Sequence, residues 1–394
     1  MKLMLRVFFS FISYFIPIKK NLFIFGSWHA IRYGDNPKAL FEFILKNKDK
    51  NEKYEIYWYT KNKELYNELK NKNVPVLYKF KYKAIIKHIR SQAVFCNCSP
   101  LSDLLGFAIN KKTTVFNLWH GTPMKKIGGH AIKELPNNNN LGININRNKA
   151  ELILRKIAPK KLIRNLKPNT YYLASSSEIG DILSSAFNLK KNKVIINGYP
   201  KLDSLSEIKK TQTMILYAPT YRGEYNSEND ILTKNRFCPN IINKKLESLN
   251  LTLVIRLHPA NNLPQKIENE LLNYNNIILD KSKKDIYLEL YKYELIITDF
   301  SSIYFDALAI NKKVVIAPFN ISAYLEEDRT LYFTPDELFP YRKPYDWLEL
   351  INNIEYYLSI DVNSFEKIRQ RFYPYDISKS ASNELLLKIE NILR

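Results

Sequence analysis

Cysteine is scarce in this chain of 394 residues, which contains three: Cys96, Cys98 and Cys238. So few cysteines exclude a disulfide-rich secreted scaffold, because that class depends on several bridges. Cys96 and Cys98 are separated by a single residue, and no second cysteine pair completes a four-ligand zinc site. We therefore interpret the three thiols as buried or incidental groups in a reducing compartment, and we expect no metal site.

Several nucleotide-binding and catalytic motifs are also missing. The chain has no G-x-x-x-x-G-K-[ST] loop and no G-x-G-x-x-G turn, which argues against an ATPase and against an ordinary NAD(P) enzyme. It has no Asp-x-Asp pair of the kind that binds a metal–diphosphate, and no G-x-S-x-G nucleophile turn. The remaining candidates are cations, hydroxyls and histidines, a set suited to a nucleotide diphosphate without a structural metal or another cofactor.

Acidic side chains are rare in the first half of the chain. Residues 1–200 hold 35 basic and 12 acidic side chains, whereas residues 201–394 hold 25 and 27, so the whole formal charge of +21 lies in the first half. An excess of this kind predicts an anionic partner, which is a nucleic acid, an anionic membrane surface or a polyanionic substrate. The apolar fraction of 45% excludes intrinsic disorder as the main description.

A long hydrophobic run is absent. Residues 3–18 are mostly apolar, but this segment is shorter than the roughly 20 residues of a spanning helix, and Arg6 interrupts it. Small residues that would mark a signal-peptide cleavage site do not follow it. We interpret residues 1–20 as an interfacial membrane helix, with residues 8–16 inserted and Lys19 and Lys20 at the headgroups. The alternative is a terminal helix packed on the protein.

What the chain does contain is an alternation of short apolar runs with helical patterns, for example 37–45, 63–70 and 83–89. Such alternation predicts parallel sheets covered on both faces by helices. Residues 347–358, 364–371 and 378–392 are further predicted helices, and Asn36 before Pro37 is a predicted helix N-cap. The predicted strands form two series on either side of the polar residues 201–212: 22–25, 54–59, 93–96, 114–118, 171–174 and 194–196, then 214–218, 251–257, 277–279, 295–298 and 314–317.

We therefore predict an α/β fold in which two doubly wound, Rossmann-like domains enclose a cleft. The membrane-associating segment is 1–20, the first domain, which would bind the acceptor, is 21–205, and the second, which would bind the nucleotide donor, is 206–375. Residues 376–394 form a C-terminal helix.

Two of the five histidines directly follow predicted strands. His120 follows the strand at 114–118, and His258 follows the strand at 251–257. Because ligands of open α/β sheets bind at the carboxyl ends of strands, both side chains are expected at the cleft. An imidazole titrates near pH ~6.5 and can accept a proton from a hydroxyl, although a structural role for each histidine stays open.

Two more strand ends carry candidate phosphate ligands. Asp299, Ser301 and Ser302 lie between a predicted strand and a predicted helix, where backbone N–H groups and hydroxyls favour an anion or where a serine simply caps the helix. Thr220 and Arg222 follow the strand at 214–218. Arg222 would brace phosphoryl oxygens there, or would be an ordinary surface arginine.

Together these segments resemble the CDP-glycerol glycerophosphotransferase family, enzymes of wall teichoic acid and related capsule polymers. Lys201 stands where the family pattern Gly-x-Pro-Arg has arginine, and Thr330 stands where glycine usually follows Arg329. The matching blocks occur in the family's order over about residues 23–341: Y-G-D-N-P at 33–37, W-H-G-T-P-M-K-K at 119–126, Y-A-P-T-Y-R at 217–222, L-H-P at 257–259, T-D-F-S-S at 298–302 and R-T-L-Y-F at 329–333.

The resemblance implies a GT-B fold and transfer of glycerol phosphate from CDP-glycerol, or of ribitol phosphate from CDP-ribitol, with release of CMP. It implies His120 as the general base on a hydroxyl of a lipid-linked or polyanionic acceptor, and His258 as a second essential group at the donor diphosphate. Asp35 is a third catalytic candidate, near the acceptor; the alternative is that an aspartate before Asn-Pro merely helps to cap the helix. The resemblance also implies that the donor is bound by Thr220, Arg222, Asp299, Ser301, Ser302 and Arg329. It implies that the acceptor or a phosphate is bound by Gly121, Thr122, Lys125 and Lys126.

Other functions remain open at the level of sequence. A GT-B glycosyltransferase that uses a CMP-sugar or another nucleotide-sugar for capsule or lipooligosaccharide synthesis would share this fold. A nucleic-acid-binding protein would explain the charge, but no helix-turn-helix, RRM or zinc-finger signature is present. The basic first half and residues 1–20 favour a peripheral, monotopic enzyme at the cytoplasmic face of the cell membrane, with anionic lipid and not nucleic acid as a partner.

Overall fold

The computed structural model describes residues 13, 15–47, 52–134, 168–205, 213–222, 227–258, 261–282, 285–327 and 330–394. In this part of the chain, the N-terminal half (up to residue 205) forms a sheet of seven strands in the order β3-β2-β1-β4-β5-β6-β7, all parallel. The strands are β1 (Lys19–Phe25), β2 (Glu55–Thr60), β3 (Val76–Tyr78), β4 (Ser91–Cys96), β5 (Thr114–Asn117), β6 (Asn169–Ala174) and β7 (Val194–Ile196).

The C-terminal half (from residue 213) forms a second parallel sheet in the order β12-β10-β8-β13-β14. In both sheets the strand order reverses next to the first strand of the half, between β1 and β4 and between β8 and β13. Such a switch point is where open α/β sheets bind ligands. The strands of this sheet are β8 (Met214–Tyr217), β10 (Thr252–Ile255), β12 (Ile277–Leu279), β13 (Tyr293–Thr298) and β14 (Lys313–Ile316). Two short strands, β9 (Ser227–Glu228) and β11 (Asn261–Asn262), pair with each other outside this sheet.

Helices alternate with these strands, as the sequence pattern predicts. Those of the N-terminal half are α1 (Asp35–Lys46), α2 (Lys63–Asn71), α3 (Tyr82–Arg90), α4 (Pro100–Asp103), α5 (Gly128–Glu134) and α6 (Ser177–Phe187). Those that follow are α7 (Pro239–Ser248), α8 (Gln265–Leu271), α9 (Ile303–Ala309), α10 (Ile321–Glu327), α11 (Pro335–Leu338), α12 (Trp347–Asn352), α13 (Ile354–Ser359), α14 (Glu366–Phe372) and α15 (Ala381–Leu393).

The last helix, α15, returns to the N-terminal half. Asp203 accepts hydrogen bonds from the first backbone N–H groups of α15, at Ala381 (2.8 Å) and Ser382 (2.9 Å). The Asn197 amide donates to the Ala381 carbonyl at 3.0 Å. The C-terminal segment therefore joins the two halves a second time, after the chain connection near residue 205.

The core explains why the strands are continuous apolar runs. Phe25 of β1 packs on one side of the first sheet, whereas the neighbouring Ile24 packs into a separate buried cluster on the other side. Phe25, Phe95 and Phe116 stack across three adjacent strands, with ring centroids 4.3 Å and 5.3 Å apart. A strand buried on both faces has no polar alternation, and this favours a parallel sheet between helix layers.

The predicted α/β fold is thus confirmed, with differences in detail. The predicted helix at 347–358 is interrupted at Asn353 between α12 and α13. The proposed N-cap role of Asn36 is wrong, because α1 begins at Asp35 and the Asn36 amide bonds to the carbonyls of Leu118 and Trp119 instead.

The predicted interfacial helix lies almost entirely outside the described residues, and the domain boundaries at 20, 205 and 375 stay predictions. Among the described helices, none combines the length and the apolar character needed to cross a bilayer.

Candidate active site

His120 lies in a tightly shaped loop at the carboxyl end of β5. The residues on either side of it have positive φ angles, 51° at Trp119 and 143° at Gly121. The Asn36 side chain donates hydrogen bonds to the Leu118 carbonyl (3.0 Å) and to the Trp119 carbonyl (3.2 Å). The loop thus has an unusual backbone shape that buried hydrogen bonds hold in place.

The His120 ring is fixed in one tautomer. Its Nδ1 lies 3.1 Å from the Asn97 backbone carbonyl, which accepts hydrogen bonds only, so Nδ1 carries the proton. In the neutral ring, the other nitrogen, Nε2, then has the lone pair that a general base needs. Trp119 stacks on the ring at 4.4 Å between centroids, and Trp28 packs against it at 5.5 Å.

Asn97, which sequence reasoning missed, organises this region from the end of β4. It is completely buried, and its side-chain oxygen accepts the Trp28 N–H at 3.0 Å. The chain from Trp28 to Ala30 forms a left-handed turn, with φ angles of 46°, 59° and 62°. Such a turn costs about 1–2 kcal/mol per residue, and the hydrogen bond from Asn97 helps to offset that cost.

Asp35, the third catalytic candidate, is buried beside Asn97. One carboxylate oxygen accepts from the Asn97 amide at 3.0 Å, and the other lies 3.8 Å from the Lys201 ammonium. Burial raises the pKa of Asp35 to about 7, although the Lys201 charge opposes the shift. A carboxyl group in this setting exchanges a proton near neutral pH.

Lys201 connects the two halves of the molecule. Its ammonium donates to the His120 backbone carbonyl (3.0 Å) and to the Asp306 carboxylate (3.0 Å). It also lies 4.0 Å from the centre of the Tyr287 ring. Burial favours the neutral amine, but the Asp306 carboxylate outweighs it, and the pKa of Lys201 lies well above its usual value. In the sequence, Lys201 is notable only as a departure from the family pattern.

The donor-side candidates meet at the switch point between β8 and β13. Asp299 accepts the Thr220 backbone N–H at 2.7 Å and forms an ion pair with Arg222 at 2.6 Å. The Arg222 guanidinium packs on the Tyr324 ring at 4.2 Å. Within the described part of the chain, the buried Thr220 hydroxyl has no hydrogen-bond partner, so it is available to a ligand. Asp299 is therefore placed to orient Arg222.

Ser302 lies against the His120 loop, and Ser301 precedes it in the chain. Ser302 precedes α9, and its side chain lies directly against Gly121: a Cβ at position 121 would be 3.1 Å from the Ser302 hydroxyl oxygen. The Ser301 hydroxyl accepts the Ile303 N–H at 3.4 Å. Two sequence blocks almost 180 residues apart, one from each half, are therefore in contact beside His120.

His258 follows β10 and has an environment unlike that of His120. The residue is exposed to solvent, and the Tyr221 ring lies 5.5 Å away between ring centres. Desolvation by the surrounding protein, with the charges of Arg32 and Lys125, lowers the pKa of His258 to about 4. His258 is therefore neutral at pH 7. Arg32 is an additional cation at this site that sequence reasoning missed.

A backbone pairing, here called the strap, holds the lysines that follow His120. In the strap, residues 124–126 pair in antiparallel fashion with residues 330–332: the Lys126 N–H donates to Thr330 (2.9 Å) and the Tyr332 N–H to Met124 (2.8 Å). Lys125 lies in the middle of it, with its ammonium 5.8 Å from the Tyr324 ring. The strap thus joins two blocks of the family pattern across the two halves.

Thr122, a predicted ligand of the acceptor or of phosphate, does not face a substrate. Thr122 is buried in the interior, 1% exposed, and its hydroxyl lies 3.1 Å from that of Ser175, so it supports the His120 loop from the interior of the protein.

Arg329 lies outside the described residues. Cys96 is buried, which raises the pKa of its thiol, and the described residues contain no cluster of three or more groups suited to a metal ion.

Two parallel sheets with candidate residues at both switch points define a GT-B-like α/β fold. The solved structure of the wall teichoic acid polymerase TagF has this fold, with a TM-score of 0.73 at 19% identity over 100% of this chain and 94% of that one. A second structure of that polymerase, a variant soaked with CDPG, gives a TM-score of 0.70 at 18% identity over 98% and 93% of the two chains.

The sequence comparisons identify the family. The sequence model of the CDP-glycerol:poly(glycerophosphate) glycerophosphotransferases matches residues 8–390, and the chain belongs to this family of transferases. It is 26% identical to the teichoic acid glycerol-phosphate transferase of Staphylococcus aureus, over 79% of this chain and 78% of that one. It is also 26% identical to the teichoic acid poly(glycerol phosphate) polymerase of Bacillus spizizenii, over 82% and 80%.

Proposed function

We propose that the protein transfers glycerol phosphate from CDP-glycerol to a hydroxyl group of a membrane-linked or polysaccharide acceptor and releases CMP. The observation that carries the proposal is the placement of His120. Its Nδ1 proton is held by the Asn97 carbonyl, and its loop is in contact with Ser302 of the donor side. The proposed base and the proposed phosphate-binding segment are therefore neighbours, which supports the proposal.

In the proposed reaction, His120 Nε2 accepts the proton of the acceptor hydroxyl. The acceptor oxygen forms a bond with the phosphorus that bears glycerol, and the bond from that phosphorus to the bridging oxygen breaks. The electron pair of that bond leaves with CMP, and His120 returns its proton to solvent. Positioning and charge stabilisation are the main contributions of a protein to phosphoryl transfer.

The donor diphosphate requires several ligands, and the C-terminal half offers them. We assign this role to Arg222, Ser301, Ser302 and the Thr220 hydroxyl, with His258 at the leaving phosphate. Asp299 acts on the donor through Arg222, because its carboxylate is paired with that guanidinium at 2.6 Å. Lys125 reaches the same region from the N-terminal half, and a bound phosphate would lie between cations of both halves.

The experiment that tests the proposal measures CMP release by the purified protein with CDP-glycerol, CDP-ribitol and nucleotide-sugars, each with and without a glycerophosphate-primed lipid acceptor. We expect acceptor-dependent CMP release with CDP-glycerol. His120→Asn should lower kcat by about 10²–10⁴, the usual contribution of a positioned base. His29→Asn is the matched control, because His29 is exposed and has a φ of 59° that asparagine adopts readily.

Two outcomes would contradict the proposal. Turnover of a nucleotide-sugar in place of CDP-glycerol would make the protein a glycosyltransferase. An unchanged kcat in His120→Asn would show that another group accepts the proton.

We also propose that the enzyme works at the cytoplasmic face of the cell membrane as a peripheral protein. The support is the charge of the first half, where basic side chains outnumber acidic ones by 35 to 12. Anionic headgroups and a growing polyanionic acceptor both attract such a surface.

A further inference from the structure

We propose that Lys201 is a positioning residue of this enzyme: its ammonium group, anchored on Asp306 of the C-terminal half, holds the backbone of His120 in its reactive geometry. The inference deepens the proposed function, on which it rests, because it concerns the residue assigned there as the general base.

The contacts of the ammonium account for its burial. The Lys201 side chain is 2% exposed, and Nζ donates to the His120 carbonyl and to Asp306 Oδ2, each at 3.0 Å. Such a buried lysine does not present its charge to a substrate in the cleft. A buried ion pair contributes little net stability compared with apolar side chains, so its presence beside His120 favours a role in positioning.

The segment that Lys201 holds has an unfavourable backbone conformation, which needs the support of hydrogen bonds. His120 lies between two positive φ angles, 51° at Trp119 and 143° at Gly121. The Lys201 backbone N–H also donates to the Asn36 side chain at 3.2 Å, and Asn36 in turn holds the Trp119 carbonyl. Loss of the ammonium would remove a support of the His120 peptide group, and the strained loop would relax and shift the imidazole.

The anchor on the other side, Asp306, is itself held through one carboxylate oxygen. Asp306 Oδ2 accepts a second hydrogen bond, from the Tyr287 hydroxyl at 2.7 Å, and it is 1% exposed. Asp306 belongs to α9, the helix that directly follows Ser301 and Ser302. Lys201 therefore sets the position of the proposed base relative to the element that carries the donor-side serines.

The test compares Lys201→Met and Lys201→Arg with a matched control, Lys312→Met. Lys312 is also a buried lysine, 9% exposed, and its ammonium donates to the carbonyls of Tyr291 (2.6 Å) and Tyr293 (2.8 Å), away from His120. Each variant is assayed for CMP release below its own melting temperature, so that kcat and KM refer to folded protein.

We expect Lys201→Met to lower kcat about 10²-fold while KM for CDP-glycerol changes little, because a small displacement of a catalytic group has this effect. Lys201→Arg should recover most of the activity, since guanidinium also pairs with Asp306 and donates to a carbonyl. Lys312→Met should lower the melting temperature and leave kcat nearly unchanged. An equal loss of kcat in Lys201→Met and Lys312→Met would overturn the proposal, as would a rise in KM alone.

A second measurement does not depend on the identity of the donor. The ring signals of His120 in a histidine-labelled sample, assigned with His120→Asn, report its position by NMR. Lys201→Met should shift these signals and Lys312→Met should not, and unshifted signals in Lys201→Met would refute the inference. If Lys201→Met does not fold, Asp306→Asn takes its place, with an expected loss in kcat of about tenfold, and an unchanged kcat would be the negative result. Failure of the unaltered protein to release CMP would refute the proposed function alone.

Discussion

At the scale of single residues, the site depends on backbone conformations that most side chains avoid. Trp28, His29, Ala30, Asp35 and Trp119 all have φ between 46° and 67°, and all lie near the carboxyl ends of β1 and β5. Such strained backbone conformations persist where the surrounding hydrogen bonds hold the chain firmly in place, and they are frequent at functional sites. The loops that carry the proposed base are therefore rigid parts of the site.

Gly121 provides a direct test of this rigidity. In Gly121→Ala the new Cβ would be 3.2 Å from the Ser302 Cβ and 3.5 Å from the Lys201 ammonium, at a φ of 143°. We expect a loss of about 1–3 kcal/mol in stability and at least a tenfold decrease in kcat, because the contact between the two halves must open. Urea unfolding and CMP release measure the two effects.

Gly34→Ala is the control for this variant. Gly34 has an extended backbone, with φ of −170°, and its nearest new contact would be Asp285 at 3.4 Å. We expect the stability and kcat of Gly34→Ala to be close to those of the unaltered protein. The same result for Gly121→Ala would show that the close contact between Gly121 and Ser302 is not needed for activity.

At the scale of elements, the sequence pattern predicted most strands to within a few residues because both faces of each sheet are buried. Val194–Ile196 and Ile277–Leu279 have the predicted bounds. The strand Val76–Tyr78 was missed, since three residues at a sheet edge carry too little pattern.

Among the candidate site residues, Asp299 and His120 were predicted because they directly follow strands. The roles of Asn97 and Tyr287 were not, because they arise from contacts between residues far apart in the chain.

The helix α3 contains a histidine that should make the fold sensitive to acid. His88 is completely buried, its Nδ1 donates to the Ala84 carbonyl at 2.7 Å, and its Nε2 accepts the Leu105 N–H at 3.3 Å. Burial lowers the pKa of His88 to about 4. Between pH 6.5 and 4 the unfolded chain binds a proton that the folded protein excludes, so stability falls as pH falls, by about 3 kcal/mol in total.

Urea unfolding at pH 7.5 and 4.5 checks this expectation. His88→Gln should be less stable than the unaltered protein at pH 7.5 but should lose less stability on acidification. The exposed His29→Asn variant should keep the full pH dependence. Parallel pH dependences for His88→Gln and the unaltered protein would contradict the assignment of His88 as an acid-sensitive group.

At the scale of the whole molecule, the charge separates by half. The formal charge is +23 for residues 1–200 and −2 for residues 201–394. A basic half next to a nearly neutral half is the arrangement expected if the first meets anionic lipid and acceptor while the second binds one nucleotide.

Membrane association can be separated from folding by removing residues 1–12, which leaves β1 (Lys19–Phe25) whole. We expect sedimentation with phosphatidylglycerol vesicles to decrease when salt is raised from about 0.05 to 0.5 M, and a residual salt-resistant fraction to remain. Deletion of residues 1–12 should remove that residual fraction while the melting temperature stays the same. Equal binding by the deleted and full-length proteins at high salt would exclude these residues as an anchor.

The strap between residues 124–126 and 330–332 limits how the cleft can open. The halves are also joined where the chain passes Lys201 and by the C-terminal helix α15, which bonds to Asp203, so they are attached at three separate places. A body attached at three such places cannot swing as a door swings on two hinges. His120 lies four residues from the strap and is bonded to Lys201, so two of these attachments support it. The proposed base would therefore keep its position while the donor enters.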